Sequence, residues 1–164
     1  GKGTTGGGKS AKSGKGGGPP NDNRSGSIEL QLRGLPGLRW QAIGLGHNMD
    51  ATADLGEKAG AQTADGRRVW HGRSVWWVLR APGAGIYEID ASTAGSAIDT
   101  TLSVVQPGGE TSSNDNDGRR ATPASRVFLR RVSLKRGDKV YFSVDGVNGA
   151  QGQVKLAVKL RKLQ

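Results

Sequence analysis

Residues 153–160, QVKLAVKL, decide the fold class. Val154, Leu156, Val158 and Leu160 alternate with Lys155, Ala157 and Lys159. A period of two puts each set on its own side of an extended chain, and the apolar side needs a partner layer. Upstream, residues 139–144 repeat the pattern, with Val140, Phe142 and Val144 against Lys139, Tyr141 and Ser143. Further back, residues 126–132 form another candidate strand. Residues 98–105 set Leu102 and Val104 on one side, and residues 85–90 make a short strand before turn residues 92–96. Residues 75–80, VWWVLR, are apolar and Trp-rich, and residues 27–32 alternate Ile28, Leu30 and Leu32 with Glu29 and Gln31. Turns are expected at Pro82-Gly83, Pro107-Gly108-Gly109, Gly137-Asp138 and Asp145-Gly146. The best helical window, residues 51–62, is weakened by Gly56 and Gly60, each costing roughly 1 kcal/mol in a helix. Seven or so short strands without helices predict an all-β protein, an antiparallel sandwich or a jelly roll, over residues 21–164. The row Lys155, Lys159 and Arg161 is expected to face water and to discourage edge pairing.

The remaining residues behave differently. Residues 1–20, GKGTTGGGKSAKSGKGGGPP, contain no large apolar and no acidic side chain. With nothing to bury they read as a flexible basic arm separate from the domain. The chain of 164 residues has 34% apolar content, 28 glycines and a net charge of +10. The basicity sits at the two ends: Lys2, Lys9, Lys12 and Lys15 in the arm, and a surplus of Lys and Arg after residue 126. No apolar run approaches the roughly 18 residues of a membrane span. The absence of cysteine excludes a disulfide framework, a thiolate zinc site and a cysteine nucleophile.

Motifs that carry chemistry are scarce. Residues 3–10, GTTGGGKS, match the letters of a phosphate-binding loop, but two residues precede them and a Gly/Lys arm follows, where the mechanism needs a strand and a helix. His47 and His71 are the only histidines, and no G-x-S-x-G or H-E-x-x-H occurs, so no catalytic residues are expected. The basic final third brings nucleic acid to mind. It carries only Phe128, Tyr141 and Phe142 as aromatics, with Phe142 on the apolar side, whereas single-strand binders interleave exposed aromatics with charge. Nucleic acid is therefore the disfavoured partner. A solvated basic face, or one meeting an acidic protein or an anionic glycan, is the simpler expectation. Two Asx clusters, Asn21-Asp22-Asn23 and Asn114-Asp115-Asn116-Asp117, offer oxygens of the kind calcium takes in sets of 6–8. Turn formation alone also accounts for them.

Several segments together resemble bacterial pre-peptidase C-terminal-like domains. They are Pro19-Pro20-Asn21-Asp22-Asn23, residues 72–82 with residues 85–90, residues 95–104, Asn114-Asp115-Asn116-Asp117, Ser125-Arg126-Val127, and Gly137, Tyr141, Val144-Asp145-Gly146 and Gly152. The resemblance covers about residues 19–160. It implies a secreted, extracellular or cell-surface β-sandwich of jelly-roll type, non-catalytic and often calcium-binding, similar to the collagen-binding modules of clostridial collagenases. Gly72, Arg73 and Ser74 stand where such domains carry an acidic pair. Three functions follow as expectations. The first is a calcium-stabilised structural or adhesive protein whose arm contacts neighbouring copies in a homo-oligomer or filament. The second is a polysaccharide- or collagen-targeting module of a secreted enzyme. The third is a basic nucleic-acid-binding protein.

Overall fold

The computed structural model describes residues 19–49, 74–114 and 124–164. The described residues form ten strands and two short 3₁₀ turns, with no α-helix among them. In chain order the strands are β1 (Ile28–Glu29), β2 (Arg33–Leu35), β3 (Arg39–His47), β4 (Val75–Arg80), β5 (Gly85–Ser92), β6 (Thr100–Val105), β7 (Thr111–Asn114), β8 (Arg126–Leu134), β9 (Lys139–Gly146) and β10 (Gln153–Lys162). They make two five-stranded sheets. Sheet A has the order β1-β4-β9-β6-β7 and sheet B the order β2-β3-β10-β5-β8. From β3 onward the chain passes from one sheet to the other at every connection but one, the β6–β7 hairpin; β2 and β3 before them also form a hairpin. This strand order is that of a jelly roll. Every pair is antiparallel except β1 with β4, where Ile28 lies opposite Trp77.

The core lies between the sheets and is built by alternation. Val75, Trp77 and Leu79 of β4, Val140, Phe142 and Val144 of β9, and Leu102 and Val104 of β6 point inward from sheet A. Val154, Leu156, Val158 and Leu160 of β10, with Tyr87, Ile89 and Ala91 of β5, meet them from sheet B. Each such aliphatic side chain taken from water contributes about 1.5–3 kcal/mol. Trp77 is the largest of the fully buried side chains, and two glycines of β3 make room for it. A Cβ on Gly44 would stand 2.6 Å from the Trp77 indole nitrogen, and one on Gly46 3.4 Å from its Cζ2.

The structure departs from the sequence reading in instructive ways. Strand β3 is hard to see in the sequence because Gly44 and Gly46 take inward positions while Ile43 and Leu45 point outward. Strands β2 and β7 are short and polar, and their partners rather than their composition make them strands. Residues 27–32 split. Ile28–Glu29 pair with β4, the Leu30 N–H donates to the Val78 carbonyl at 2.8 Å, and the chain then crosses to sheet B. Asp145-Gly146 is not a turn but the end of β9, with Asp145 buried, and the turn follows at Val147–Gly149. Strand β10 is no edge: it lies in the middle of sheet B between β3 and β5, so its lysines do not serve to block edge pairing. The helical window at residues 51–62, and the arm with its Lys2, Lys9, Lys12 and Lys15, lie outside the described residues.

Candidate functional site

The outward side chains of sheet B form rows that follow from the strand register. One row runs Arg33, Gln41, Lys159, Asp90, Phe128 across all five strands. The next runs Leu35, Arg39, Arg161, Glu88, and on the other side Ile43, Ala157, Ser92, Arg126 make a third. Leu45 and Lys155 extend the face beyond that. The inward residues of these strands are committed to the core, so this face is what sheet B shows to solvent. Leu45 is 72% exposed, Ile43 57% and Phe128 42%.

Cations dominate the face, and its two carboxylates are already engaged. Asp90 accepts a two-pronged pair from Arg126, Nε to Oδ1 and Nη2 to Oδ2, both at 2.8 Å. Glu88 accepts from Arg161 Nε at 2.9 Å and Nη2 at 2.8 Å. The Arg161 hydrogen bond holds the Glu88 carboxyl below its ordinary range, and the charges of Arg161 and Arg130 add to this against a smaller opposing effect of burial. Arg33, Arg130, Arg131, Lys155 and Lys159 have no carboxylate within ion-pair distance among the described residues. The positive charge of this face is therefore not cancelled within the sheet.

At the β8 edge the ladder slips. Tyr87 lies opposite Val132 and Ile89 opposite Leu129, so Arg130 and Arg131 together oppose the single residue Glu88. This is a β-bulge, a device that re-aims side chains at a sheet edge. Arg130 and Arg131 are both exposed, while Leu129 packs against the core and Val132 is buried in it. Next to the bulge, the Phe128 ring has the Arg126 guanidinium 5.5 Å and the Arg130 guanidinium 5.8 Å from its centroid. Such cation–π contacts hold the two side chains upright along the strand.

Sheet A is different. Its outward row of Trp76, Ser143 and Ser103 is buried, and Thr101, Val105 and Val78 on the same side are buried as well. Ser103 and Ser113 share a hydroxyl hydrogen bond of 2.7 Å on this side. Of the Trp residues, Trp40 packs 6.0 Å from Tyr87 inside the sandwich. Trp40 is partly buried there, and Trp76 and Trp77 are buried, so neither of the latter two is a platform for a ligand.

The Asx clusters are placed as follows. Asn21 is buried and serves β4: its carbonyl accepts the Trp76 N–H at 2.8 Å and its Nδ2 donates to the Trp76 carbonyl at 2.9 Å. Asn23 caps the first 3₁₀ turn, its Oδ1 accepting from the Gly26 N–H at 2.9 Å and the Ser25 hydroxyl at 2.7 Å. Its Nδ2 donates to Asp22 Oδ1 at 3.3 Å. Asn114 ends β7 and donates to the Arg126 carbonyl at 2.9 Å. Asn21 lies on the β1 side of β4. The row Val75, Val144, Leu102, Asn114 runs from β4 to the opposite edge, so Asn21 and Asn114 stand about four strand spacings, ~19 Å, apart. Sheet A thus does not bring Asn21–Asn23 and Asn114 to one ion. Among the described residues no three His, Asp or Glu side chains converge as metal ligands. Asp115, Asn116 and Asp117 lie outside the described residues, and calcium at that cluster concerns them.

The signal for the bulge was present in the sequence. In residues 126–134, RVFLRRVSL, the apolar positions change parity, from Val127 and Leu129 to Val132 and Leu134. One extra residue between them keeps both pairs inward.

No family model matches the chain, and no curated protein matches it. Solved structures do show similar architecture. PliG of Aeromonas hydrophila, a periplasmic inhibitor of g-type lysozyme, is 13% identical over 84% of this chain and 96% of its own, with a TM-score of 0.43. The pre-peptidase C-terminal domain of a Bacillus anthracis collagenase is 12% identical over 80% of this chain and 93% of its own, also with a TM-score of 0.43. A CBM35 module from Cellvibrio japonicus Abf62 is 15% identical over 74% of this chain and 99% of its own, with a TM-score of 0.33. The fold assignment stands on the strand order above, and the ligands of those proteins remain theirs.

Proposed function

We propose that this chain is a non-catalytic binding module of the secreted kind, and that the outer face of sheet B targets it to an acidic polysaccharide. The observation that carries this reading is the open, five-strand face whose cations outnumber its carboxylates, with both carboxylates already paired. A long polyanion laid across the rows meets Arg33, Lys159 and Arg126 in turn without any cleft, and releases counterions as it does so. Exposed Ile43 and Leu45 supply apolar contact beside the charges, as suits sugar rings with one apolar face. An open sheet face excludes no water from a reacting bond, so it favours retention over turnover.

Affinity electrophoresis and calorimetry of the full chain test the reading with three polymers: dextran, dextran sulfate and polygalacturonate. Retention by a charged polymer, weakening as salt rises, with no new reducing ends after incubation, is the expected result. Equal indifference to all three polymers overturns it, and so does release of sugar from any of them.

A further inference from the structure

The bulge on β8 sets one place at the edge of the face apart from the rest. In a regular strand, neighbouring side chains point to opposite sides, so a consecutive Arg-Arg pair would send one guanidinium outward and the other into the core. Here the extra residue at the bulge keeps Leu129 and Val132 inward and leaves Arg130 and Arg131 exposed opposite Glu88. Two arginines thereby occupy one sheet position. The carboxylate they face is already occupied by Arg161, and neither has an ion-pair partner among the described residues. Arg130 is further positioned by the Phe128 ring, 5.8 Å from its centroid. The other flank of that ring is taken by Arg126, which is itself clamped on Asp90. The result is an aromatic ring with a paired guanidinium on one side and two unpaired cations beside it at the β8 edge. Two cations at one sheet position without a carboxylate partner of their own are what an oxyanion from outside complements.

We infer that Arg130 and Arg131, aimed together by the β8 bulge, form a discrete oxyanion subsite that takes a sulfate or carboxylate group of the polysaccharide through paired guanidinium hydrogen bonds. The inference rests on the reading of this face as polysaccharide-binding and adds to it a specificity determinant. Lys155 and Lys159 contribute only diffuse attraction, whereas the bulge recognises geometry. Guanidinium forks bind oxyanions with two parallel hydrogen bonds, which an ammonium does not reproduce. Phe128 is a positioning residue here, because it acts through Arg130.

The test compares variants that remove equal charge. R130Q/R131Q and K155Q/K159Q each delete two cations from the same face. R130K/R131K keeps both charges and deletes only the forks. Each is confirmed folded by its thermal melt, and binding is measured to dextran sulfate and to polygalacturonate at one fixed ionic strength. The two polymers separate a sulfate preference from a carboxylate preference. For the preferred polymer, loss of charge-assisted hydrogen bonds is expected to weaken R130Q/R131Q roughly ten- to a hundredfold. R130K/R131K should weaken nearly as much, and K155Q/K159Q by only a few-fold. Phe128→Ala should lower affinity without changing the steepness of the salt dependence, since it removes no charge. Equal losses in the two Gln doubles, or full binding by R130K/R131K, would leave the face as a binder but overturn the subsite. Absence of binding by the unaltered chain removes the functional reading itself, and the subsite with it.

Discussion

The two sheets of this sandwich share a core but differ on their outer sides. Sheet A is buried on both sides at its centre, where Trp76, Ser143 and Ser103 follow one another across three strands. Sheet B is buried on one side only and shows Lys159, Arg161 and Leu45 to solvent. One interior strand of each sheet records the difference. Strand β4 reads VWWVL without a polar break, as a strand buried on both sides does. Strand β10 alternates strictly, as a half-buried strand does. Among the described residues, the outer face of sheet B is the broad open one, and it carries cations that no carboxylate of the sheet offsets.

The largest expected effect comes from the core the sheets share. Trp77→Ala removes the indole that fills the notch over Gly44 and Gly46. It should cost about 3–5 kcal/mol of unfolding free energy in urea titrations, as for other buried Trp truncations. A smaller result would mean that the notch collapses around the gap.

The contrast between the outer sides gives the next pair of predictions. Val78→Lys places an ammonium on the buried outer side of sheet A, 8% exposed in the parent, and should destabilise by roughly 2 kcal/mol or more. Leu45→Lys makes the same kind of change on sheet B and should stay within about 0.5 kcal/mol. Similar penalties for both would erase the distinction between the sheets.

The smallest effect is a pH dependence on sheet B. Arg161 lowers the folded-state pKa of Glu88, so the pair stabilises the fold above the ordinary carboxylate pKa. That contribution disappears as pH falls through the folded value. A modest melting-temperature gap between the parent and Glu88→Gln is therefore expected at neutral pH and should close in acid. A gap that persists or widens in acid would show that the pair is not its source.

Much of the sandwich is legible in single strands. Strands β4, β9 and β10 announce themselves because each side of the strand repeats its own chemistry for several residues. Strand β3 does not, since its inward glycines answer to the bulk of Trp77 from the opposite sheet. A local pattern cannot show a partner thirty residues away. The Asx residues illustrate the same limit at the site. Asn21 and Asn23 read as ligand oxygens or turn formers in the sequence, and only the structure shows that the Asn21 amide nitrogen ties down β4 and that Asn23 Oδ1 caps a 3₁₀ turn.

The sequence by itself determined that the protein is built of strands, which residues of most strands face inward, and that its positive charge gathers toward the ends. Those properties follow from side-chain period and composition, which need no partner to be defined. The tertiary structure alone decided that β10 lies in the middle of a sheet, that its lysines join arginines from β2, β3 and β8 on one face, and that Arg130 and Arg131 both stand exposed opposite Glu88. Adjacency between strands is fixed by hydrogen-bond pairing across long stretches of chain, and no local pattern of residues encodes it.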